Sequence, residues 1–279
     1  MPNVMYDALA APHADSPKPF LTDDAQGITT FAEFSALAAQ IAHALTAAGL
    51  RPGGRVAVIA PKRVETLALY IATLQAGGVY LPLNTAYTAS ELEYFLSDAT
   101  PDVVVTDAAR AESLQDACDA RVLTLEANGS GTLPDAAAGQ SSTFETVSRG
   151  ADDLAALLYT SGTTGRSKGA MLTHGNMLSN AEALAGLWQI TAQDRLIHAL
   201  PIFHTHGLFV AMNTSLLAGC QVRLMDRFDA GAVLAELPQS TLLMGVPTFY
   251  TRLLDTAGFT RGACANMRLF ISGSAPLLA

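Results

Sequence analysis

The sequence predicts an α/β fold of stacked, mainly parallel β-sheets with helices on both faces. Three observations predict it. Short runs rich in Val, Ile and Leu alternate with longer stretches of helical period along most of the chain. Capping boxes and glycine pairs punctuate that alternation. Half of the 279 residues are hydrophobic and only 15% are charged, so the chain can bury the core that two-sided sheets require.

The elements follow in order. Thr30-x-x-Glu33 is a capping box, and it opens an apolar helix through Leu45 that stops near Gly49. A strand over 55–60 comes next, then a helix over 62–75 closed by Gly77-Gly78, and a short strand over 80–83. A second capping box, Thr88-x-x-Glu91, starts another helix, and strands over 102–106 and 121–126 follow. Residues 128–142 carry Gly, Ser and Ala with few large apolar groups, which reads as a flexible connection. Beyond it lie strands over 154–158, 170–173, 195–200, 221–225, 241–246 and 268–272, with helices over 176–187, 230–237 and 248–255. No internal repeat of fixed period is visible, although two stretches of alternation suggest paired layers.

Composition excludes several functions. A net charge of −9 argues against a nucleic-acid or anionic-membrane surface, which needs a basic patch. Cys118, Cys220 and Cys264 are scattered thiols without metal-ligand spacing, an odd count that suits a reducing compartment. The first cation is Lys18, so no signal or transit peptide is read, and no apolar run reaches the length of a membrane span. A cytoplasmic protein is expected.

The most informative segment is Tyr159-Thr160-Ser161-Gly162-Thr163-Thr164-Gly165-Arg166-Ser167-Lys168-Gly169. A buried strand empties into a loop of hydroxyls and glycines. The glycines let backbone N–H groups turn inward on a polyphosphate, Thr160, Ser161, Thr163 and Thr164 add donors, and Lys168 brings a compact charge. It is not a Walker loop, because Gly162 and Gly165 are too close together and Gly169 follows the lysine. That spacing disfavours a P-loop NTPase.

The segment resembles the phosphate-binding signature of the AMP-forming acyl-CoA synthetases, within the adenylating superfamily. It departs from the usual pattern once, at Ser167, where proline is commonest. The donors are intact, and one stiffening residue is lost. The resemblance covers nearly the whole chain after the first few residues. It implies a partial N-terminal AMP-binding domain over 1–279. The adenine element, the ribose-binding aspartate, the hinge and the small C-terminal domain with its adenylating lysine are all missing, so the chain is expected to be incomplete for turnover. It implies ATP with Mg²⁺ and CoA, with Thr160 or Thr164 near the cation and no protein ligand set for a metal.

Three further segments sit at the carboxyl ends of predicted strands, where open α/β sheets bind ligands. These are the run 201–207 with His204 and His206, the run 245–252 with Arg252, and Ser272-Gly273-Ser274-Ala275-Pro276. With the phosphate loop they are expected to converge on one sheet edge. By resemblance His204 lies beside the reacting carboxylate, and the Ser272–Pro276 turn lines the adenine and acyl sites. His206 stays open between contacting ligand and lining the pocket. His198 reads as a hydrogen-bonded structural histidine. A zinc on His204-x-His206 lacks a third ligand. Arg268 begins its strand, at the end away from the site, and reads as solvated or salt-bridged.

The segment 77–87, the run around His204 and the segment 244–252 together look most like malonyl-CoA synthetases. That resemblance points to malonate or methylmalonate as the acid, with Arg252 either pairing the distal carboxylate or remaining a surface cation. A monocarboxylic (fatty or aromatic) acid, or an inactive nucleotide-binding fragment, is the alternative.

Overall fold

The computed structural model describes residues 2–160 and 167–276. In chain order the first half holds α1 (Val4–Leu9), β1 (Pro19–Asp23), β2 (Gly27–Thr30), α2 (Phe31–Ala47), β3 (Arg55–Val58), α3 (Val64–Gln75), β4 (Val79–Pro82) and α4 (Ala89–Ala99). Next come β5 (Val103–Thr106), α5 (Ala108–Ala117), β6 (Arg121–Thr124), α6 (Thr132–Ala137), β7 (Leu154–Thr160), β8 (Lys168–Thr173) and α7 (His174–Trp188). The remainder is β9 (Arg195–His198), α8 (Asn213–Ala218), β10 (Gln221–Leu224), α9 (Ala230–Glu236), β11 (Leu242–Gly245), α10 (Pro247–Leu254) and β12 (Leu269–Ser272).

The chain divides into two units, residues 1–15 with 32–179 and residues 16–31 with 180–279. Each holds a six-stranded sheet. The first runs β6-β5-β3-β4-β7-β8 and the second β12-β11-β9-β10-β1-β2. In both, five strands are parallel and the last closes an antiparallel hairpin, β7–β8 or β1–β2. The two orders are the same pattern, with one difference in chain order. The hairpin that completes the first sheet follows its other strands, whereas the hairpin of the second precedes them. A repeat arranged this way leaves no fixed sequence period to find.

The strands read as buried because they are. β3, β4 and β5 are apolar at nearly every position, as parallel strands covered on both faces must be. α3 is buried all round, and its Tyr70 packs edge-on against Tyr80 of β4 at 5.2 Å. The second capping box is formed. The Thr88 side chain accepts from Glu91 N–H, and Glu91 accepts from Thr88 N–H. The helix expected from the first capping box, α2, starts directly after Thr30, at Phe31. Among the described residues no helix is long and apolar enough to cross a membrane.

Two expectations change. The stretch 128–142, read as a flexible connection, holds the short helix α6 with Leu133 and Ala137 buried. Two well-placed apolar side chains suffice to dock one and a half turns, and a composition average hides them. α5 was not anticipated, and only its Leu114 is buried, so its apolar period is weak.

One buried histidine makes stability depend on pH. His174 is fully buried at the start of α7, and its Nδ1 accepts from Met5 N–H at 3.4 Å. Its Nε2 has no partner among the described residues. Burial holds its pKa down at about 4, against 6.5 for an ordinary histidine. The unfolded chain therefore binds this proton at a higher pH than the folded one. Stability is full above about pH 6.5 and declines as the pH falls toward 4. In urea titrations His174→Gln should flatten that decline. An equally steep acid limb in the variant would assign the loss to other groups.

Candidate active site

In the second unit, β9 and β11 are neighbours whose following connections leave in opposite senses, to β10 on one side and β12 on the other. That reversal opens a crevice at their carboxyl ends. Three of the predicted segments lie there: 201–207 after β9, 246–252 after β11, and 273–276 after β12. The expectation of one common edge is corrected for the fourth. β7, which leads into the phosphate loop, belongs to the other sheet. Strand periodicity alone carries no label for the sheet a strand will join.

The segment after β9 turns into a π-helical stretch, His206–Met212, wider than an α-helix and frequent at functional sites. Gly207 permits the turn, since a Cβ there would lie 2.0 Å from the Pro201 carbonyl oxygen. His198 secures it, its buried Nε2–H donating to the Gly207 carbonyl at 2.7 Å. The structural reading of His198 thus gains a definite task.

His206 is 8% exposed, and its Nδ1 lies 3.2 Å from Ser274 Oγ. A Cβ on Gly273 would sit 3.1 Å from the same ring, so glycine lets the two segments meet. Ser274 holds a left-handed backbone, φ 65°, which costs a non-glycine residue about 1–2 kcal/mol. Strain of this kind persists where surrounding contacts fix it. His204 is exposed and packs its ring on Phe203 at 4.5 Å. Desolvation lowers the pKa of both, through the buried ring of His206 and through the partly covered ring of His204, favouring neutral imidazoles. Ser272, Ala275 and Pro276 are exposed along the same strand end.

Tyr250 was missed by sequence reasoning. From α10 its O–H reaches the carbonyls of Leu243, at 3.2 Å, and Ile271, joining β11 to β12 beneath the crevice. A lone tyrosine on a helix gives no hint of such a bridge. Arg252 is exposed on the same helix, its guanidinium 4.8 Å from the centroid of the Phe228 ring. Phe228 in turn stacks on Phe249 at 4.0 Å. Among the described residues Arg252 has no carboxylate partner. Arg268 is salt-bridged, donating to both oxygens of the buried Asp194 at the opposite end of the strands.

In the first unit, β7 and β8 pair from Leu154↔Thr173 to Thr160↔Lys168. Ser161, Gly162, Thr163, Thr164 and Gly165 lie outside the described residues. Lys168 is exposed at the first position of β8, with no ion pair among the described residues. No group of three His, Cys, Asp or Glu among them is placed to hold a metal.

Comparison with known proteins bears on this arrangement. The model of the AMP-binding enzyme family matches residues 10–279. The chain belongs to that family. It is 36% identical over 250 residues to a feruloyl-CoA synthase of Amycolatopsis sp, covering 89% of this chain and 50% of the relative. It is 29% identical over 257 residues to a malonate–CoA ligase of Arabidopsis thaliana, covering 82% of this chain and 42% of that one. The crystal structure of apo MatB from Rhodopseudomonas palustris superposes with a TM-score of 0.97 at 50% identity, covering all of this chain and 56% of that one. The chain thus spans about half the length of the curated relatives it matches.

Proposed function

We propose that this chain is the N-terminal part of an AMP-forming acid–thiol ligase acting on a small carboxylic acid, best a dicarboxylate such as malonate. The acid's carboxylate attacks the α-phosphate of ATP, giving an acyl-adenylate and pyrophosphate. The thiol of CoA then displaces AMP. Carboxylate oxygen is a poor leaving group, and AMP replaces it with a good one. The protein's part is positioning and charge neutralisation. Thr160 to Gly165 and Lys168 hold the phosphates, and His204, His206 and the Ser272–Pro276 turn border the acyl and adenine end. The observation that carries the reading is Lys168, a cation with no ion pair among the described residues, placed at the first position of β8 after a run of hydroxyls and glycines in the sequence. Mg²⁺ bound with ATP would supply further charge neutralisation, with Thr160 or Thr164 nearby. Pyrophosphate release tests the activity. ATP binding without release supports the nucleotide-binding fragment instead.

Arg252 supports a dicarboxylate. A malonate-type acid carries a second charge that is costly to desolvate unpaired. Among the described residues Arg252 has only an exposed cation–π contact to give up, worth about 0.5–1 kcal/mol. A charge-assisted pair with a carboxylate gains about 1.5–3 kcal/mol. Arg252→Leu, made at the matching position of a full-length relative active on malonate, should abolish malonate activation selectively over butyrate. Equal loss for both acids would leave Arg252 structural. A second reading, an aromatic monocarboxylate, is favoured by the feruloyl-CoA synthase relative, and the same panel extended to ferulate separates it.

A further inference from the structure

The Tyr250 hydroxyl acts one residue before the Ser272–Pro276 turn, because the carbonyl it reaches on β12 is that of Ile271. β12 has β11 as its single neighbour among the described residues. The two strands are in register from Leu242↔Leu269 to Gly245↔Ser272. Past that point one more backbone bond follows, from Gly273 N–H to the Gly245 carbonyl at 3.1 Å. A strand paired on one side only opens more readily than a central one. Tyr250 adds a second hold from the face of the sheet, where the ladder runs out.

The seating of α10 aims that hydroxyl. Gly245 lets the helix approach closely, since a Cβ there would lie 2.9 Å from the Phe249 ring. Phe249 stacks on Phe228 and Leu253 is fully buried, which together fix the rotation of the helix. The Tyr250 ring meets Phe270 of β12 edge-on at 6.2 Å. Burial pushes the Tyr250 phenol above its ordinary pKa, so it keeps its proton and donates.

The turn beyond Ile271 is the part that needs holding. Ser274 sits at φ 65°, a region that residues other than glycine seldom occupy. Its Oγ is 3.2 Å from His206 Nδ1, already long for a hydrogen bond made by a hydroxyl. A small outward drift of the Ile271 peptide would carry Ser274 out of reach of the ring.

We propose that Tyr250 is a positioning residue for the acyl and adenine border of the site: by holding the Ile271 carbonyl it keeps Ser274 in hydrogen-bond reach of His206. Its part in the reaction rests on the ligase reading above, whereas the positioning rests on contacts inside the second unit.

The test reads the His206 Nδ1 nitrogen resonance of the purified chain at neutral pH, assigned with His206→Gln, alongside a thermal midpoint and an ATP titration. Ser274→Ala removes the partner and marks the position of an unbonded Nδ1. Tyr250→Phe keeps the ring against Phe270 and removes only the hydroxyl. It should move the resonance toward that same position and weaken ATP binding about 3- to 10-fold, the effect of one hydrogen bond. In the double variant Tyr250→Phe should add nothing to Ser274→Ala, because both act through one contact. Phe270→Leu, which spares the hydroxyl, should leave the resonance at its wild-type position. A resonance unmoved by Tyr250→Phe, whatever the thermal midpoint does, would overturn the positioning and leave Tyr250 a tie between strands. A moved resonance with wild-type ATP affinity would overturn its part in ligand binding. A wild-type chain that binds no ATP would sink the ligase reading, a failure the His206 resonance keeps distinct.

Discussion

On the proposed phosphate site, Lys168→Ala should weaken ATP binding by about 1.5–3 kcal/mol, the usual worth of a hydrogen bond to a charged group. The side chain is exposed at the mouth of the hairpin and pairs with no acid among the described residues. Removing it therefore breaks no ion pair among the described residues, and the variant should melt with the wild type. Lys168→Arg should recover part of the affinity, because charge is kept while the compact ammonium is exchanged for a planar fork. Thr163→Val and Thr164→Val should act more mildly, by about 0.5–1.5 kcal/mol each. Calorimetric ATP titration of the four variants measures this. Affinities equal to wild type in all of them would place the phosphates elsewhere.

The second large effect is expected at Gly207. A methyl group there would lie 2.0 Å from the Pro201 carbonyl oxygen and 2.9 Å from its carbon, both backbone atoms that cannot swing aside. Gly207→Ala must therefore displace the start of the π-helical stretch. Overpacking of this kind typically costs about 1–3 kcal/mol. The displacement also strains the 2.7 Å bond from His198 to the Gly207 carbonyl, which is the means by which a buried histidine is satisfied. A fall in the urea midpoint and loss of order in the histidine resonances should appear together. An unchanged midpoint would mean that the Pro201 turn yields easily and that Gly207 does not hold His206 in place.

Much of the candidate site is legible residue by residue. The loop 159–169 declares its hydroxyls and glycines in the order of its side chains, and the capping box at Thr88 declares the start of α4. The histidine segment and the Ser272–Pro276 turn follow strands that hydrophobic runs mark clearly. What goes unread is whatever depends on a partner far along the chain. Tyr94, Asp98 and Tyr250 are ordinary helix residues until their hydroxyls or carboxylates meet Ser167, Tyr159 and Ile271. The helix at 132–137 escapes notice because two buried side chains vanish into a Gly- and Ala-rich average.

The sequence by itself determined the α/β alternation and the carboxyl-end placement of the histidine and serine turns, because each is written in short-range spacing. Only the tertiary structure decided that β9, β11 and β12 are neighbours, that His206 and Ser274 meet, and that β7 belongs to another sheet. It also decided that the N-terminal hairpin completes the second sheet, with Leu21 registered against Val222. Parallel strands are joined by burial of their faces between helices rather than by any local code. A pairing across some two hundred residues is therefore chosen by the packing of the whole unit, and no stretch of sequence read alone contains it.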